Sequence, residues 1–579
     1  MVHLMIKNSL KSKTKKQYAA FLFFLYFFIH QTFYSFYLGS NWDEQNVVKS
    51  SGRYIEKYMF LLRGNKPADV PYVAGEFYGE IIKLPIHLLT RFENINLVFM
   101  QSINRLFDGL ISNVIDAQFV LRHIFFNLYT LICLIYIYKK LKKLTNENIS
   151  LLFLVFLIFL PSFIGQAIFN PTDTPFALHI FIATLVFFDK LIYNNHPKNL
   201  DLFIVSFWFG VSFLTRVNAI AFLVFLSIYL LFKTFKEFNL TEYIYKNLFI
   251  YFGALFIWII FTPGVILYPV EWLEQIIWHQ FSQDWQGDIL VNGIKYYSLD
   301  SSLSYVFNVF FFKLPVVHII FLIYGASLFF TKKISSPLIN YSFYFVLYFL
   351  IVFSIYTPTI LDYLRHYQFL LPFLALISSY ALNTLSEKIN IFYLIGTVLI
   401  YLIFTQFSLG AYKYIYLNEF ADESKITSEC QEIIDYNGCG LWQTDYYGLS
   451  GKEMVQNIES LNVDNIYFCD PTHTYTYYIS DELNWTNNNG IPDFDDYSYW
   501  GQYKYIYNAD HLNEFIAQGG TEFFMTAPHR PYASSCGLNK VSNIENNLSC
   551  KITDTVETKL RSEPVILNYL YSCTLNFNT

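Results

Sequence analysis

The chain has 579 residues, 54% hydrophobic and 20% aromatic, and only 15% are charged. A soluble domain carries about 25% charged residues, so the composition excludes an ordinary soluble enzyme and indicates a membrane protein. The formal net charge of -6 leaves no basic footprint for nucleic acid.

Residues 1–17 are basic, with Lys7, Lys11, Lys13, Lys15 and Lys16, and the run 18–38 that follows has no charged side chain. That run exceeds the ~7–15 residues of a signal-peptide core and lacks a small-x-small cleavage site, which predicts a retained anchor. A spanning helix needs about 20 mostly apolar residues, and about eleven such segments are predicted, ending near residue 411. They lie at 18–38, 118–138, 149–167, 174–193, 200–215, 218–232, 247–268, 315–330, 338–357, 367–383 and 391–411. The pair 200–215 and 218–232 can also form one broken hairpin.

Lys and Arg in short loops set orientation. An inside N-terminus places Lys139, Lys140, Lys142 and Lys143 in the cytoplasm, with Lys190, Lys198, Lys233, Lys236, Lys246, Lys332, Lys333 and Lys388. The alternate short loops are nearly free of Lys. Outer stretches are then 39–117, 166–174, 269–314 and 358–366. Segments 54–63, 77–92 and 269–285 are expected to lie on the membrane as amphipathic helices, with Glu56, Arg63, Glu80, Arg91, Glu271 and Glu274 facing water.

After the transmembrane region 18–411, residues 412–579 shift toward Asp, Asn, Thr and Gly. They predict a small extracytoplasmic α/β domain, with strands at 439–442 and 465–468 and a helix at 452–460. Six of the seven cysteines fall there: Cys430, Cys439, Cys469, Cys536, Cys550 and Cys573. An even set predicts disulfides in an oxidising compartment, and no CxxC pair points to zinc. Cys430–Cys439 and Cys536–Cys550 are the simplest short-loop pairs.

Charged residues gather at one predicted interface. Asp43 and Glu44 follow the first span. Arg122 and His123 open the second, Asp173 lies in NPTDTPF, Arg216 lies in FLTRVN, and Arg365 and His366 lie in DYLRH before the tenth. The ordinary reading of each is a snorkelling anchor or helix-end charge. Against it, Lys is nearly absent from this side, and a planar Arg suits bidentate grip on phosphate. A lipid phosphate leaves as a stable anion and needs cations to take up its charge. The attacking hydroxyl needs one carboxylate to take its proton. Acids beside arginines at headgroup depth fit sugar transfer from a lipid phosphate.

These stretches resemble a known group. DE at 43–44, LRH at 121–123, PSFIGQAIFNPTDTPFAL at 161–178, LDYLRHYQFLLPFLAL at 361–376 and WQTDYYGLSGKE at 442–453 are similar to the GT-C glycosyltransferases. The nearest likeness is to the protein O-mannosyltransferase-like and aminoarabinose-transferase-like class, in its bacterial members with a C-terminal periplasmic domain. The resemblance implies a multi-pass protein of the bacterial inner membrane that inverts the anomeric carbon of a polyprenyl-phosphate-sugar donor. The acceptor is a glycan, lipid or protein hydroxyl. It implies Asp43 as general base, Glu44 in site organisation, Asp173 as the second-loop acid and Arg365 on the donor phosphate. His366, Arg122, His123 and Arg216 join the phosphate-binding set from their interfacial depth. Thr172 stands where such motifs often carry Lys, which weakens the local grip. Asp445 either faces the site or caps a turn.

No metal motif is present, and His279 and His318 are read as structural. Two acids and a phosphate would nonetheless suit Mg or Mn between Asp43 and Asp173. Two alternatives remain: a ligase or polymerase with a diphosphate-linked donor, and a transporter or lipid-binding scaffold. The second should carry midplane charges and inverted repeats, which are not seen here.

Overall fold

The computed structural model describes residues 15–41, 44–64, 85, 88, 92–107, 109–194, 196–234, 240–281, 288–297, 303–355, 363–386, 391–407, 409–426, 440–445, 447–461, 463–469, 473–476, 478, 505–506, 509–529, 538, 541, 547–561 and 563–576. Helices dominate up to residue 407. They are α1 Lys15–Ser35, α2 Glu44–Arg63, α3 Glu93–Leu106, α4 Val114–Leu144, α5 Glu147–Ile158, α6 Pro161–Phe169, α7 Asp173–Phe187, α8 Asn199–Thr215 and α9 Ala219–Thr234. Then come α10 Leu240–Ile260, α11 Pro263–Leu267, α12 Pro269–Phe281, α13 Leu303–Lys313, α14 Val316–Phe330, α15 Pro337–Ile355, α16 Leu371–Ser386 and α17 Ile391–Phe407.

Every predicted span falls on a helix or on a bent run of helix, but fewer of these are long enough to cross alone. Among the described residues, four stretches are long and apolar enough: Val114–Leu144, Asp173–Ile192, Thr241–Ile260 and Arg365–Ser386. Two bent pairs raise the number to six: α5 with α6 at 69°, and α13 with α14 at 119°. Each bend sits at a proline, Pro161 or Pro315, which lacks the N–H needed to continue a helix. Residues 200–215 and 218–232 form separate helices, α8 and α9.

Packing uses small residues as well as aromatic rings. A Cβ on Gly210 of α8 would lie 2.7 Å from Ile257 of α10, and one on Gly253 of α10 would lie 2.6 Å from Ser206 of α8. Small side chains let apolar helices approach where lipid offers no hydrophobic drive. Between α15 and α16, Phe345 stacks on Phe373 with ring centroids 4.0 Å apart.

Helices α2 and α12 leave Glu56, Arg63, Glu271 and Glu274 exposed. Glu80, Arg91 and the His279 side chain lie outside the described set. Strands β1 Asp288–Val291 and β2 Ile294–Tyr297 form a hairpin whose turn residues Asn292 and Gly293 have φ of 50° and 77°. Those angles need the Asn-Gly pair that the sequence supplies.

The C-terminal region holds α18 Gly451–Leu461, β3 Ile466–Phe468, α19 His473–Thr476, β4 Tyr505–Ile506, α20 Ala509–Ala517, β5 Glu522–Pro528, β6 Leu548–Leu560 and β7 Glu563–Leu575. Its five strands run in the order β4-β3-β5-β7-β6. β3 is parallel to β4 and β5, and β7 is antiparallel to β5 and β6. The helix near 452–460 and strand near 465–468 are present. The strand expected at 439–442 is not: Gly440–Trp442 is a bend, because Leu441 spends its N–H on Lys425 and its C=O on Gly293 of the hairpin. Cys550 bonds Cys573 across β6 and β7, not Cys536, because β-pairing sets the two directly opposite. Cys469 is also disulfide-bonded. The Cys430–Cys439 pairing lies outside the described residues.

Candidate active site

Two buried ionic clusters meet where α2, α4 and α7 begin. The first centres on Glu44, the opening residue of α2. Its carboxylate accepts from Asn41 N at 2.9 Å and from His123 Nε2 at 3.0 Å. Glu44 and His123 are both fully buried. A buried carboxylate needs such partners, since an unpaired charge there costs several kcal/mol, on the order of the desolvation penalty. Asp43 itself lies outside the described residues.

The second cluster centres on Asp173, the first residue of α7. Asn170 holds it in place: its Oδ1 accepts from Thr172 N and Asp173 N at 3.1 and 2.9 Å, and its Nδ2 donates to Asp173 Oδ2 at 2.9 Å. Asp173 Oδ1 pairs with Arg216 Nη2, and Oδ2 accepts from Arg365 Nε at 3.0 Å. His366 follows Arg365 in the same turn. Arg216 caps α8, where the helix ends in extended backbone. Arg365 starts a 3-10 turn, Arg365–Leu370, that leads into α16. Thr174 donates to Gln368 at 3.1 Å and fixes that turn against α7.

Asn41 joins the clusters. Its side chain donates to Phe169 O at 3.0 Å, one residue before Asn170. Glu44, His123, Asp173, Arg216, Arg365 and His366 therefore belong to one region. Arg122 is fully buried on α4. One residue of helix turns it about 100° from His123, onto a different face.

The C-terminal region builds a wall of this region. Tyr447 lies under the Arg365 guanidinium, with Cζ 5.6 Å from the ring centroid. Gln166 Nε2 donates to Tyr447 Oη at 3.1 Å, and Asn170 Nδ2 donates to Gln166 Oε1 at 2.9 Å. A closed circuit results: Asp173, Arg365, Tyr447, Gln166, Asn170. Asp445 does not enter it. Its carboxylate accepts from Tyr414 Oη at 2.8 Å, Leu449 N at 3.0 Å and Ser450 N at 3.2 Å, which caps the turn into α18. Burial pushes the Asp445 carboxyl up, and these hydrogen bonds oppose the shift.

Tyr363 sets the approach of Arg365. Its φ of 44° is left-handed, a strained choice for a bulky residue. Its hydroxyl accepts from Gln443 N at 2.9 Å and has Leu290 O of the hairpin and Gln443 O within donating distance at 2.9 and 3.0 Å. Its ring faces the buried Lys313 ammonium at 4.2 Å. Tyr447, Tyr363 and Lys313 were not singled out from the sequence. Tyr447 stood within a quoted motif, and Tyr363 within DYLRH.

A divalent cation between Asp43 and Asp173 would involve a residue outside the described set. Both oxygens of Asp173 face arginines, so an ion would have to displace one of them. No group of three His, Cys, Asp or Glu suited to a metal occurs among the described residues. His318 is structural, its ring donating to Phe156 O at 2.9 Å.

Residues 107–267 match the model of the dolichyl-phosphate-mannose-protein mannosyltransferase family. The chain is similar in structure to ArnT from Cupriavidus metallidurans bound to undecaprenyl phosphate, with a TM-score of 0.47 and 10% identity over 96% of this chain and 98% of that one. Against the apo state of ArnT from the same organism the TM-score is 0.47 at 11% identity, covering 96% and 97% of the two chains. No curated protein sequence matches.

Proposed function

We propose that the chain is an integral-membrane glycosyltransferase of the GT-C class, which moves one sugar from a polyprenyl-phosphate carrier to an acceptor hydroxyl with inversion. The observation that carries this is the Asp173 clamp, with two arginines converging on one buried carboxylate beside the Glu44–His123 pair. The matched stretch 107–267 supports it, since it contains Arg122, His123, Asp173 and Arg216.

The residues divide the work. Glu44 is engaged on both oxygens and anchors the start of α2. Asp43, its neighbour in sequence, takes the role of base that the resemblance implies. The acceptor oxygen attacks the anomeric carbon, the bond from that carbon to the phosphate oxygen breaks, and the hydroxyl proton passes to Asp43. The phosphate leaves with the bonding pair. Arg365 and Arg216 meet the charge that develops on it, and Asp173 holds both at fixed distance before the reaction begins. Preorganised cations in a dry site act strongly because no reorganisation is needed at the moment of reaction. The reacting face is assigned to the extracytoplasmic side from the lysine distribution.

The test is incubation of the purified protein with lipid-linked sugars on monophosphate and diphosphate carriers, with products identified by mass spectrometry. Monophosphate donors should be used in preference. Asp43→Asn should lower turnover by about 10²–10⁴-fold, the usual range for a lost general base. Arg365→Ala should raise the donor requirement more than the acceptor requirement. Full turnover in Asp43→Asn removes the base assignment, and preference for the diphosphate donor favours the ligase reading.

A further inference from the structure

A cavity of about 760 Å³ opens at the other end of the bundle. That volume lies within the ~300–1,000 Å³ of small-molecule sites. Its wall is formed by the last turn of α4 (Lys143, Leu144), the π turn after α7 (Asp189, Lys190), and the starts of α5 and α15 (Asn146, Pro337). Asp173 opens α7, and His123 lies in the N-terminal third of α4. At about 1.5 Å per residue, Asp189 is roughly 24 Å from Asp173 along the helix and Lys143 roughly 30 Å from His123. A hydrocarbon core is about 30 Å thick, so the cavity sits at the second membrane interface.

Its chemistry is cationic. Lys140 donates to Asp189 Oδ2 at 2.7 Å and Lys143 donates to Oδ1, so both carboxylate oxygens are engaged. Lys190 pairs with Asp201 at 2.9 Å. Asp201 also accepts from Lys198 N at 3.0 Å and from Asn194. Three ammonium groups thus face two carboxylates that are already satisfied. Each ammonium has three N–H groups. The Lys143 side chain is 67% exposed, so it can reach a ligand without leaving its helix. The first residue of α15, a helix of 19 residues, also lies on the wall and adds the positive end of its dipole. The rest of the wall mixes polar residues, Thr145, Asn146, Asn194 and Ser336, with an apolar side of Leu144, Ile149, Pro337 and Tyr380. A free phosphate ion would leave that surface unused, whereas a glycerol backbone with its first methylenes would cover it.

We propose that this cavity binds the phosphodiester headgroup of an anionic phospholipid, held by Lys143 and Lys190. The lipid would tie the ends of α4, α5, α7 and α15 together on the side away from the candidate active site. Basic pockets between helices at a lysine-rich interface are suited to such headgroups. The proposal is independent of the glycosyltransferase reading.

The test uses full-length protein in a zwitterionic detergent, titrated with phosphatidylglycerol, phosphatidylcholine or inorganic phosphate. Native mass spectrometry counts retained lipid, and thermal unfolding is followed in parallel. Phosphatidylglycerol should bind with about tenfold lower Kd than phosphatidylcholine, near 1.4 kcal/mol, and raise Tm to a plateau. Inorganic phosphate at the same concentration should do neither. The double variant Lys143→Gln, Lys190→Gln should lose the preference. Lys143→Gln alone, at a mostly exposed position, should fold normally and weaken it, and it decides the matter if the double variant does not fold. Equal retention of the two lipids, an unchanged preference in Lys143→Gln, or stabilisation by inorganic phosphate equal to that by lipid would each overturn the proposal.

Discussion

Asp173 would be a poor residue to bury alone, and the two guanidinium groups beside it would be poor residues to bury without it. Their mutual pairing leaves Arg365 stacked over Tyr447, a side chain from the C-terminal region. A cation over an aromatic face is worth roughly 0.5–2 kcal/mol, depending on desolvation. Tyr447→Leu should therefore raise the donor KM by about 2–30-fold while changing kcat less. Tyr447→Phe keeps the ring, loses the bond to Gln166, and should recover most of the donor affinity. Steady-state kinetics in donor and acceptor separately would check both. Equal effects of the two variants would show that the ring face does not matter. At this scale the sequence was informative where charge stood at a helix mouth, as at Glu44, Asp173, Arg216 and Arg365. It was silent on Tyr447, because in a chain with 48 tyrosines one ring carries no signal until its neighbours are known.

Helices α5 and α6 show why elements were harder to read than residues. Hydropathy alone makes 149–167 one span, but Pro161 ends the first helix and turns the second by 69°. The turn brings Gly165 of α6 against the chain at residues 413–414. A Cβ at Gly165 would lie 2.4 Å from Tyr414 N and 2.9 Å from Lys413 C, and backbone cannot yield as a side chain can. Gly165→Ala should cost roughly 1–3 kcal/mol through overpacking, read as a lower Tm. It should also weaken donor binding, because Gln166 and Asn170 would shift with the helix. Gly396 offers a control: a Cβ there meets nothing within 4 Å, so Gly396→Ala should be neutral or slightly stabilising. The hairpin β1–β2 was legible in principle from Asn292-Gly293 between apolar runs. Its strands are only four residues each, too short for alternation to stand out in the outer stretch 269–314.

At the scale of the molecule, membrane bundle and C-terminal region are fastened by buried polar contacts. Lys452 of α18 donates to Asp116 of α4 and to Phe36 O beyond α1, each at 2.8 Å. Both Lys452 and Asp116 are buried. Removing one partner of such a pair costs about 3–5 kcal/mol, whereas replacing both by apolar groups is often neutral. Lys452→Met should lower Tm and open the segment before α18 to limited proteolysis, and adding Asp116→Leu should restore most of the loss. A single variant as stable as the parent would mean that the fastening is carried elsewhere. Membrane character was plain from composition. The fastening was not, because its partners lie 336 residues apart and each alone looks like a surface charge.

Ser40 and Tyr478 touch across 438 residues, and Ser40 lies next to the segment that carries the candidate base. At about 5–20 residues per second, a ribosome needs roughly 20–90 s to travel between them. During that interval the nascent polypeptide already holds Ser40 yet lacks Tyr478, whose hydroxyl accepts from the Ser40 N–H. That contact therefore closes only when translation is nearly finished.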